Sequence, residues 1–206
     1  MSIKTIIKNA LILCCITLAA GLSLSFVHSI TEEPIAKAQQ AATEAAYKKV
    51  FESAVSFQGI DEGTALTEEF NSQLDISLYP GVEIQGMEKA VDESGSCIGV
   101  IVTAVSSKGY GGDIQLVIGV SSDGTLNGMS VLSMSESAGL GAKCTTAEFQ
   151  DQFKGIKSGS IKYTKTGASA ENEIDTISGA TITTKAVTDA VNAGLEFANS
   201  YLAKLN

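Results

Sequence analysis

The fold class is predicted most clearly by residues 97–134, CIGVIVTAVSSKGYGGDIQLVIGVSSDGTLNGMSVLSM. Val, Ile and Thr, which favour strands, are concentrated in three segments: Cys97–Val105, Ile114–Val120 and Leu126–Met134. Ser122-Asp123-Gly124-Thr125 supplies an Asp-Gly turn, which favours a hairpin between the last two segments. Gly109-Tyr110-Gly111-Gly112 links the first two. The stretch therefore predicts an antiparallel meander rather than alternating βαβ units.

A long amphipathic helix is predicted at the C-terminal end, from about Thr184 to Lys204. Its apolar residues recur at intervals of three and four, as on the buried face of a helix. They are Val187, Ala190, Val191, Leu195, Ala198, Leu202 and Leu205. Short strands are predicted at Ile161–Thr164 and Glu173–Ile177, after a short helix at Phe149–Phe153. The predicted fold class is α+β, an antiparallel sheet covered by helices.

An uncharged and mostly apolar run, Ala10–Val27, is long enough for one transmembrane helix. Lysines precede the run and acids follow it: Lys4, Lys8, Glu32 and Glu33. Because lysine favours the cytoplasmic side, this charge difference predicts a cytoplasmic N-terminus and an extracytoplasmic remainder. Two alternatives are a cleaved signal peptide ending near Ala19–Gly21 and a lipoprotein signal with Cys14 or Cys15 as the lipidated residue. The apolar residues that continue to Val27 favour the uncleaved anchor.

Three regions are predicted along the chain. Residues 1–31 are the cytoplasmic N-terminus and the transmembrane anchor. Residues 32–57 are a helical stalk, for which Thr31 is the expected N-cap and Pro34 lies in the first turn. Residues 58–206 are the extracytoplasmic domain.

Composition excludes several classes of function. The 206 residues carry a net charge of −9 and no basic patch, so nucleic-acid binding is not expected. The single histidine, His28, lies at the edge of the apolar run, which excludes a His-dependent nucleophile or a His-ligated metal from the predicted domain. No Cys-x-x-Cys spacing occurs, and Cys97 and Cys144 are either disulfide-bonded or free. We therefore predict no catalytic residue and no metal ligand, and expect any redox centre to be an organic cofactor.

The start of the C-terminal helix carries the most informative motif, Asp175-x-x-Ser178-Gly179-Ala180-Thr181. A glycine at this point allows a tight turn, and hydroxyls crowd the helix start at Ser178, Thr181, Thr183 and Thr184. A helix N-terminus presents unpaired N–H groups and the positive end of the helix dipole, which together suit a phosphate. The local alternative is a capped helix after a turn. The local pattern does not distinguish Thr181 from Thr183 or Thr184.

This motif resembles the flavinylation motif of the FMN-binding domain in the G subunit of the Rnf ferredoxin:NAD oxidoreductase. The C subunit of the sodium-pumping NADH:quinone oxidoreductase shares that motif. Gly109-Tyr110-Gly111-Gly112 is similar to a second family segment. Glu136-Ser137-Ala138-Gly139-Leu140-Gly141 is similar to the family's Glu-Thr-Pro-Gly-Leu-Gly, with Ser137 in place of Thr and Ala138 in place of Pro.

The resemblance implies that Thr181 carries FMN through a phosphoester bond. It also implies a set of residues around the cofactor. Ser178, Gly179 and Ala180 would shape the phosphate loop, while Glu136, Ser137, Gly139 and Leu140 would lie near the ring or the ribityl chain. Lys185, in the first helical turn, is a further candidate for the cofactor site.

The function implied by the resemblance is electron transfer by a single-pass membrane subunit of an ion-translocating Rnf complex. The chain would be a relay without a complete active site, with the other members of the complex and a flavin transferase as partners. One alternative is the equivalent subunit of the sodium-pumping quinone reductase. A second is an unflavinylated, anchored binding or sensor domain. A third is a hydrolase that uses paired acids at Asp61, Glu62, Glu68 and Glu69, a group more typical of a solvated helix face.

Overall fold

The computed structural model describes residues 3–157 and 159–205. The chain divides into two compact units, Met1–Thr43 and Glu44–Asn206. A single long helix, α1 (Ile3–Val50), contributes to both units. Its most apolar 18-residue window has a mean hydropathy of 2.4 and no buried residues, so α1 is long and apolar enough to cross a membrane.

The predicted boundary between the anchor and the stalk is absent, because α1 continues through Thr31 and Pro34. Thr31 does not cap a second helix, since its hydroxyl donates to the carbonyl of Val27 one turn earlier at 2.9 Å. The helix also ends earlier than predicted, at Val50 instead of about Phe57. Phe57 lies in a strand and packs edge-on against Tyr47, with ring centroids 5.2 Å apart. The contact between the buried Tyr47 ring and the partly buried Phe57 ring favours the strand over a longer helix.

The predicted antiparallel meander is confirmed as the centre of a larger sheet. Its strands are β1 (Ser56–Gly59), β2 (Val82–Val91), β3 (Cys97–Ser106), β4 (Ile114–Ser121), β5 (Thr125–Ser133) and β6 (Ile156–Lys157). They lie in sequential order, and every neighbouring pair is antiparallel. The sequence did not predict β1 or β6 at the two edges. The turn at Gly124, with φ of +82°, closes the predicted Asp-Gly hairpin.

The helices α2 (Gly63–Gln73), α3 (Ala147–Gln150) and α4 (Thr181–Leu205) complete the domain. Short 3₁₀ segments at Gly141–Thr145 and Asp151–Phe153 flank α3. A second sheet pairs β7 (Lys162–Thr164) with β8 (Glu173–Asp175) in parallel, an orientation the sequence did not predict. The predicted acidic cluster lies at and within α2 as part of an ordinary surface helix.

One face of the six-stranded sheet is covered by α4. The predicted stripe of α4 is buried from Val187 to Leu202, against residues such as Val102, Leu116 and Ile118. Gly194 permits the close approach, since a Cβ there would lie 2.7 Å from Cδ1 of Ile118. The helix starts at Thr181, three residues earlier than predicted, and this start places Thr181 in its first turn.

The opposite face of the sheet is covered by the end of α1 and by Phe51. The Phe51 ring occupies a space left by Gly99 and Gly119, where added Cβ atoms would lie 2.5 and 2.9 Å from ring carbons. Glu44–Val50 therefore belongs to the compact domain, which begins at Glu44 instead of residue 58. The sheet has a helical cover on both faces, so the predicted α+β class with covering helices is confirmed.

Candidate functional site

A cleft of about 480 Å³ opens beside the start of α4. Its lining comes from the β3–β4 loop, the loop after β5 and the first turn of α4. The lining residues are Tyr110, Glu136, Ser137, Leu140, Gly141, Gly179, Ala180, Thr181, Ile182 and Thr183. The volume lies within the range of small-molecule sites, and the exposed surface of the lining is mostly apolar. The cleft brings together the three segments that the sequence analysis singled out.

Glu136 is a buried acid that ties these three segments together. Its Oε1 accepts a hydrogen bond from the Gly111 N–H at 3.0 Å. Its Oε2 accepts one from the Thr183 hydroxyl at 2.6 Å. Hydrogen bonds to a carboxylate are stronger than neutral ones, so this acid connects the Gly-Tyr-Gly-Gly loop to the start of α4.

Glycines make room for the Glu136 carboxylate. An added Cβ at Gly109 would lie 2.6 Å from Oε1, and one at Gly141 would lie 2.2 Å from Oε2. At Gly111 the obstacle is backbone, since a Cβ would lie 2.0 Å from the Ser135 carbonyl oxygen. Gly109, Gly111 and Gly141 are therefore required by the close approach of the two loops, whereas an added Cβ at Gly112 or Gly139 would meet nothing within 4 Å.

The structure separates the three threonines that the local sequence pattern left equivalent. Thr183 is buried, and its hydroxyl is committed to Glu136. Thr184 is also buried; its hydroxyl donates to the Ala180 carbonyl at 3.0 Å and accepts from the Ile177 N–H at 3.1 Å. Thr181 is half-buried and lines the cleft, and within residues 3–157 and 159–205 its hydroxyl has no hydrogen-bond partner. Thr181 therefore offers the available hydroxyl of the three.

The turn before α4 is suited to an anion at Thr181. Gly179 has φ of +78°, a conformation that favours glycine. The Thr184 N–H donates to the Ala180 carbonyl at 3.0 Å. The N–H groups of the residues of α4 before Thr184 have no intrahelical acceptor, as at any helix start. Together with the dipole of the 25-residue helix, these groups favour a phosphate at this end.

The start of the motif is fixed to the small parallel sheet. The Asp175 carboxylate accepts a hydrogen bond from the Ala168 N–H at 2.7 Å, and its own N–H donates to Oε1 of Gln152 at 2.6 Å. The Thr176 hydroxyl donates to the Thr164 carbonyl at 2.7 Å. The turn that precedes Thr181 therefore begins from a fixed backbone.

Some of the predicted site residues do not line the cleft. Ser178 is exposed and lines a neighbouring groove of about 450 Å³ together with Lys143 and Asp175. Gly139 is an exposed loop glycine with φ of +77°. Lys185 is exposed, and its ammonium group lies 2.5 Å from the carboxylate of Asp189 on the same helix. These three residues therefore lie outside the lining of the cleft.

Several lining residues were missing from the predicted set: Tyr110, Gly141, Ile182 and Thr183. Tyr110 and Gly141 belong to the quoted motifs, so their motif membership was the available signal. Ile182 and Thr183 directly follow Thr181, and their contribution required the helix to start at Thr181.

The cysteines are free, and they lie in different surroundings. Cys97 is exposed at the start of β3, whereas Cys144 is completely buried. Burial, assisted by the negative charge of Glu136, raises the pKa of the Cys144 thiol to about 11. The disulfide alternative is therefore not adopted in this structure, and Cys144 is a neutral core residue near the wall of the cleft.

Comparison with known protein families identifies the class. The family model for the FMN-binding domain matches residues 109–196, which include all lining residues of the cleft. The model for the RnfG N-terminal region matches residues 1–50. The two matches define a protein with an FMN-binding domain behind an N-terminal helix.

Relatives along the whole chain give the family. The G subunit of the ion-translocating oxidoreductase complex from Methanosarcina acetivorans is 31% identical over 96% of this chain and 96% of its own length. The G subunit of the Na(+)-translocating ferredoxin:NAD(+) oxidoreductase complex from Acetobacterium woodii is 29% identical over 94% of this chain and 91% of its own length. The chain therefore belongs to the family of G subunits of ion-translocating oxidoreductase complexes.

Solved structures with similarity to this chain include NqrC from Shewanella oneidensis, with a TM-score of 0.49 and 22% identity over 58% of this chain and 61% of that one. The C subunit of the Na(+)-translocating NADH-quinone reductase from Parabacteroides distasonis gives a TM-score of 0.45 and 20% identity over 69% of this chain and 96% of that one. The family assignment rests on the relatives that are themselves G subunits.

Proposed function

We propose that this chain is a membrane-anchored electron-transfer subunit that carries FMN on Thr181, within an ion-translocating ferredoxin:NAD oxidoreductase complex. The observation that carries the proposal is the Thr181 hydroxyl, which is available at a helix N-terminus inside the cleft of an FMN-binding domain. The names of the related G subunits support the assignment to this kind of complex.

The residues around Thr181 fit the phosphate of FMN. We propose a flavin dinucleotide as the donor: the Thr181 oxygen bonds to the phosphorus of its FMN half, the pyrophosphate bond breaks, and the nucleoside monophosphate leaves with the hydroxyl proton. The product is heavier than the unmodified chain by FMN less one water. The first N–H groups of α4 would hold the phosphate, and Gly179 and Ala180, which line the cleft, would leave it room. Ser178 and Lys185 are close enough in sequence to border the phosphate, although both lie outside the cleft lining.

The apolar part of the cleft fits a flat aromatic ring. Leu140, Ile182 and Tyr110 are large apolar side chains that remain 47%, 54% and 72% exposed at its rim. Ser137 adds a hydroxyl among them, and Gly139 turns the chain beside them. The flavin supplies the electron chemistry, while this chain supplies placement and a partly apolar surrounding.

Maturation and electron transfer both require partners. A separate flavin transferase is the proposed source of the covalent bond. Other subunits of the complex are the proposed electron donor and acceptor. The chain is thus a relay within an oxidoreductase.

We propose that the domain faces the outside of the cell membrane, with the N-terminus in the cytoplasm. Lys4 and Lys8 precede the apolar run of α1, and Glu32 and Glu33 follow it, which supports this orientation. A membrane-impermeant maleimide applied to intact cells should label the exposed Cys97 and leave the buried Cys144 unlabelled. Labelling of Cys97 only after cell lysis would contradict the proposed orientation.

The attachment is tested by Thr181→Ala in the full chain, produced together with a flavin transferase. We expect this protein to fold and to lose all flavin fluorescence in a denaturing gel, because the acceptor oxygen is missing. Thr145→Ala is the matched control, since Thr145 is an exposed threonine outside the cleft lining. A fluorescent Thr181→Ala protein would show that the flavin is attached elsewhere.

A further inference from the structure

The contact between Glu136 and Thr183 joins residues 47 positions apart, and both residues line the cleft. We propose that these two residues are a positioning pair, which holds the first turn of α4 so that Thr181 presents its hydroxyl to the cleft. This inference rests on the proposed attachment of FMN to Thr181. It assigns the pair an indirect role, since neither Glu136 nor Thr183 is the residue to which we propose that FMN is attached.

The hydrogen bonds of Glu136 favour positioning over direct contact with a ligand. The side chain is only 8% exposed, and each carboxylate oxygen already accepts a hydrogen bond from the protein. Separating Glu136 from these donors would leave a buried charge without its partners, which is costly. The carboxylate is therefore held in the wall of the cleft.

Thr183 and Thr184 fix the orientation of the first turn of α4 about the helix axis. Thr183 is tied to Glu136 on the side of the loop after β5, and Thr184 is tied to Ile177 on the side of β8. Both side chains are essentially unexposed, so the first turn of α4 is anchored in two directions. With these directions fixed, Thr181 faces the cleft.

The glycine at position 141 supports the same role. A Cβ at Gly141 would lie 2.2 Å from Oε2 of Glu136 and 2.7 Å from the Thr183 hydroxyl oxygen. The loop therefore passes directly over the contact between the two side chains, and only glycine leaves room for it. The last glycine of the Glu136–Gly141 motif serves the positioning pair.

The test compares rates of covalent flavin attachment in the full chain, with the flavin transferase and its flavin substrate supplied in excess. Thr183→Val removes the hydroxyl and nearly keeps the side-chain shape. We expect a loss of about tenfold or more in the attachment rate, because the removed hydrogen bond ends on a charged group. Thr183→Ser, which restores the hydroxyl, should recover most of the rate.

Thr188→Val is the matched control. Thr188 is buried in the same helix and donates to the Thr184 carbonyl at 2.8 Å, but it does not line the cleft. Thr183→Val should lower the melting temperature more than Thr188→Val, because it leaves the buried Glu136 carboxylate without one of its donors. Attachment is therefore measured well below both melting temperatures, where only Thr183→Val should slow it. Equal rates for the two variants would overturn the positioning role.

Glu136→Gln separates position from charge. Its amide oxygen can accept from Gly111 and its amide N–H can donate to Thr183, so both contacts persist in a weaker neutral form. We expect an attachment rate between those of the wild type and Thr183→Val. A rate below that of Thr183→Val would assign the effect to the charge and overturn the proposal.

The outcome for the wild type distinguishes this inference from the proposed function. If the wild-type protein carries no flavin on Thr181, the proposed function itself is contradicted. If the wild-type protein carries flavin and Thr183→Val is modified at the wild-type rate, only the positioning role of Glu136 and Thr183 is contradicted.

Discussion

The wall and the rim of the cleft share two segments, the loop after β5 and the start of α4, yet they differ in burial and polarity. The wall, defined by Glu136, Gly141 and Thr183, is buried and hydrogen-bonded. The rim, defined by Tyr110, Leu140 and Ile182, consists of apolar side chains that are exposed to solvent. Thr181 lies between them, half-buried and with an available hydroxyl.

This difference indicates a division of roles within short motifs. Residues of the wall are already satisfied by contacts within the protein, so their substitution should change the geometry and the stability of the domain. Residues of the rim have few contacts to lose, so their substitution should change the bound flavin and leave the fold intact. The two sets alternate along the chain, as Ile182 and Thr183 illustrate.

The largest effect on stability is expected when a methyl group is added to the wall. Gly141→Ala would bring a Cβ to 2.2 Å from Oε2 of Glu136, so the carboxylate or the loop must move. We expect a loss of about 1–3 kcal/mol in the free energy of unfolding, together with reduced flavin attachment. Denaturant unfolding of the purified full chain and in-gel flavin fluorescence would measure the two effects.

Gly59→Ala provides the control for a glycine-to-alanine change. A Cβ at Gly59 would meet nothing within 4 Å, and its φ lies outside the range that favours glycine. Its stability and flavin content should remain close to those of the wild type. A Gly141→Ala protein as stable and as fully flavinylated as Gly59→Ala would contradict the tight packing of the wall.

The second effect concerns the thiol near the wall. Because burial raises the pKa of Cys144 to about 11, this thiol should be alkylated more than about tenfold more slowly than Cys97 in the native protein at pH 8. Mass spectrometry of the two cysteine peptides after a timed alkylation gives both rates. Equal rates would show that the wall opens readily.

The same thiol predicts a dependence of stability on pH. The unfolded thiol loses its proton near pH 9, whereas the folded thiol keeps it up to about pH 11. The contribution of Cys144 to stability is therefore complete below about pH 9 and is lost as the pH rises toward 11. Melting temperatures across this range should fall more steeply for the wild type than for Cys144→Ala; parallel curves would contradict the shift.

The smallest effect on stability is expected at the rim. Ile182→Ala should change the free energy of unfolding by no more than about 0.5 kcal/mol, because the side chain is 54% exposed. It should make the flavin that we propose on Thr181 more accessible to a soluble fluorescence quencher. Ile76→Ala, which alters an exposed isoleucine outside the cleft, should leave the quenching unchanged. Identical quenching in both variants would place the ring away from Ile182.

Local signals in the sequence were sufficient for the centre of the fold. The Asp-Gly turn, the β-branched segments and the periodic apolar residues of α4 predict structure from neighbours along the chain, and the sheet and the helix that covers it agree with them. The packing of Phe51 into the space left by Gly99 and Gly119 was not predictable, because these residues are far apart in the sequence. For the same reason the end of α1 was assigned to a stalk.

The candidate site shows the same limit. The motifs led to the segments that form the cleft, but the contact between Glu136 and Thr183 depends on long-range packing. Sequence patterns also treated Thr181, Thr183 and Thr184 alike, whereas burial and hydrogen bonding distinguish them in the structure.

Peptide mass spectrometry of the protein purified from its native membrane would show whether Thr181 carries FMN. The peptide that contains Thr181 should be heavier by FMN less one water, with fragment ions that place the added mass on Thr181 rather than on Thr183 or Thr184. An unmodified Thr181 peptide, from cells with an active flavin transferase, would contradict the account and favour an anchored binding domain without covalent flavin.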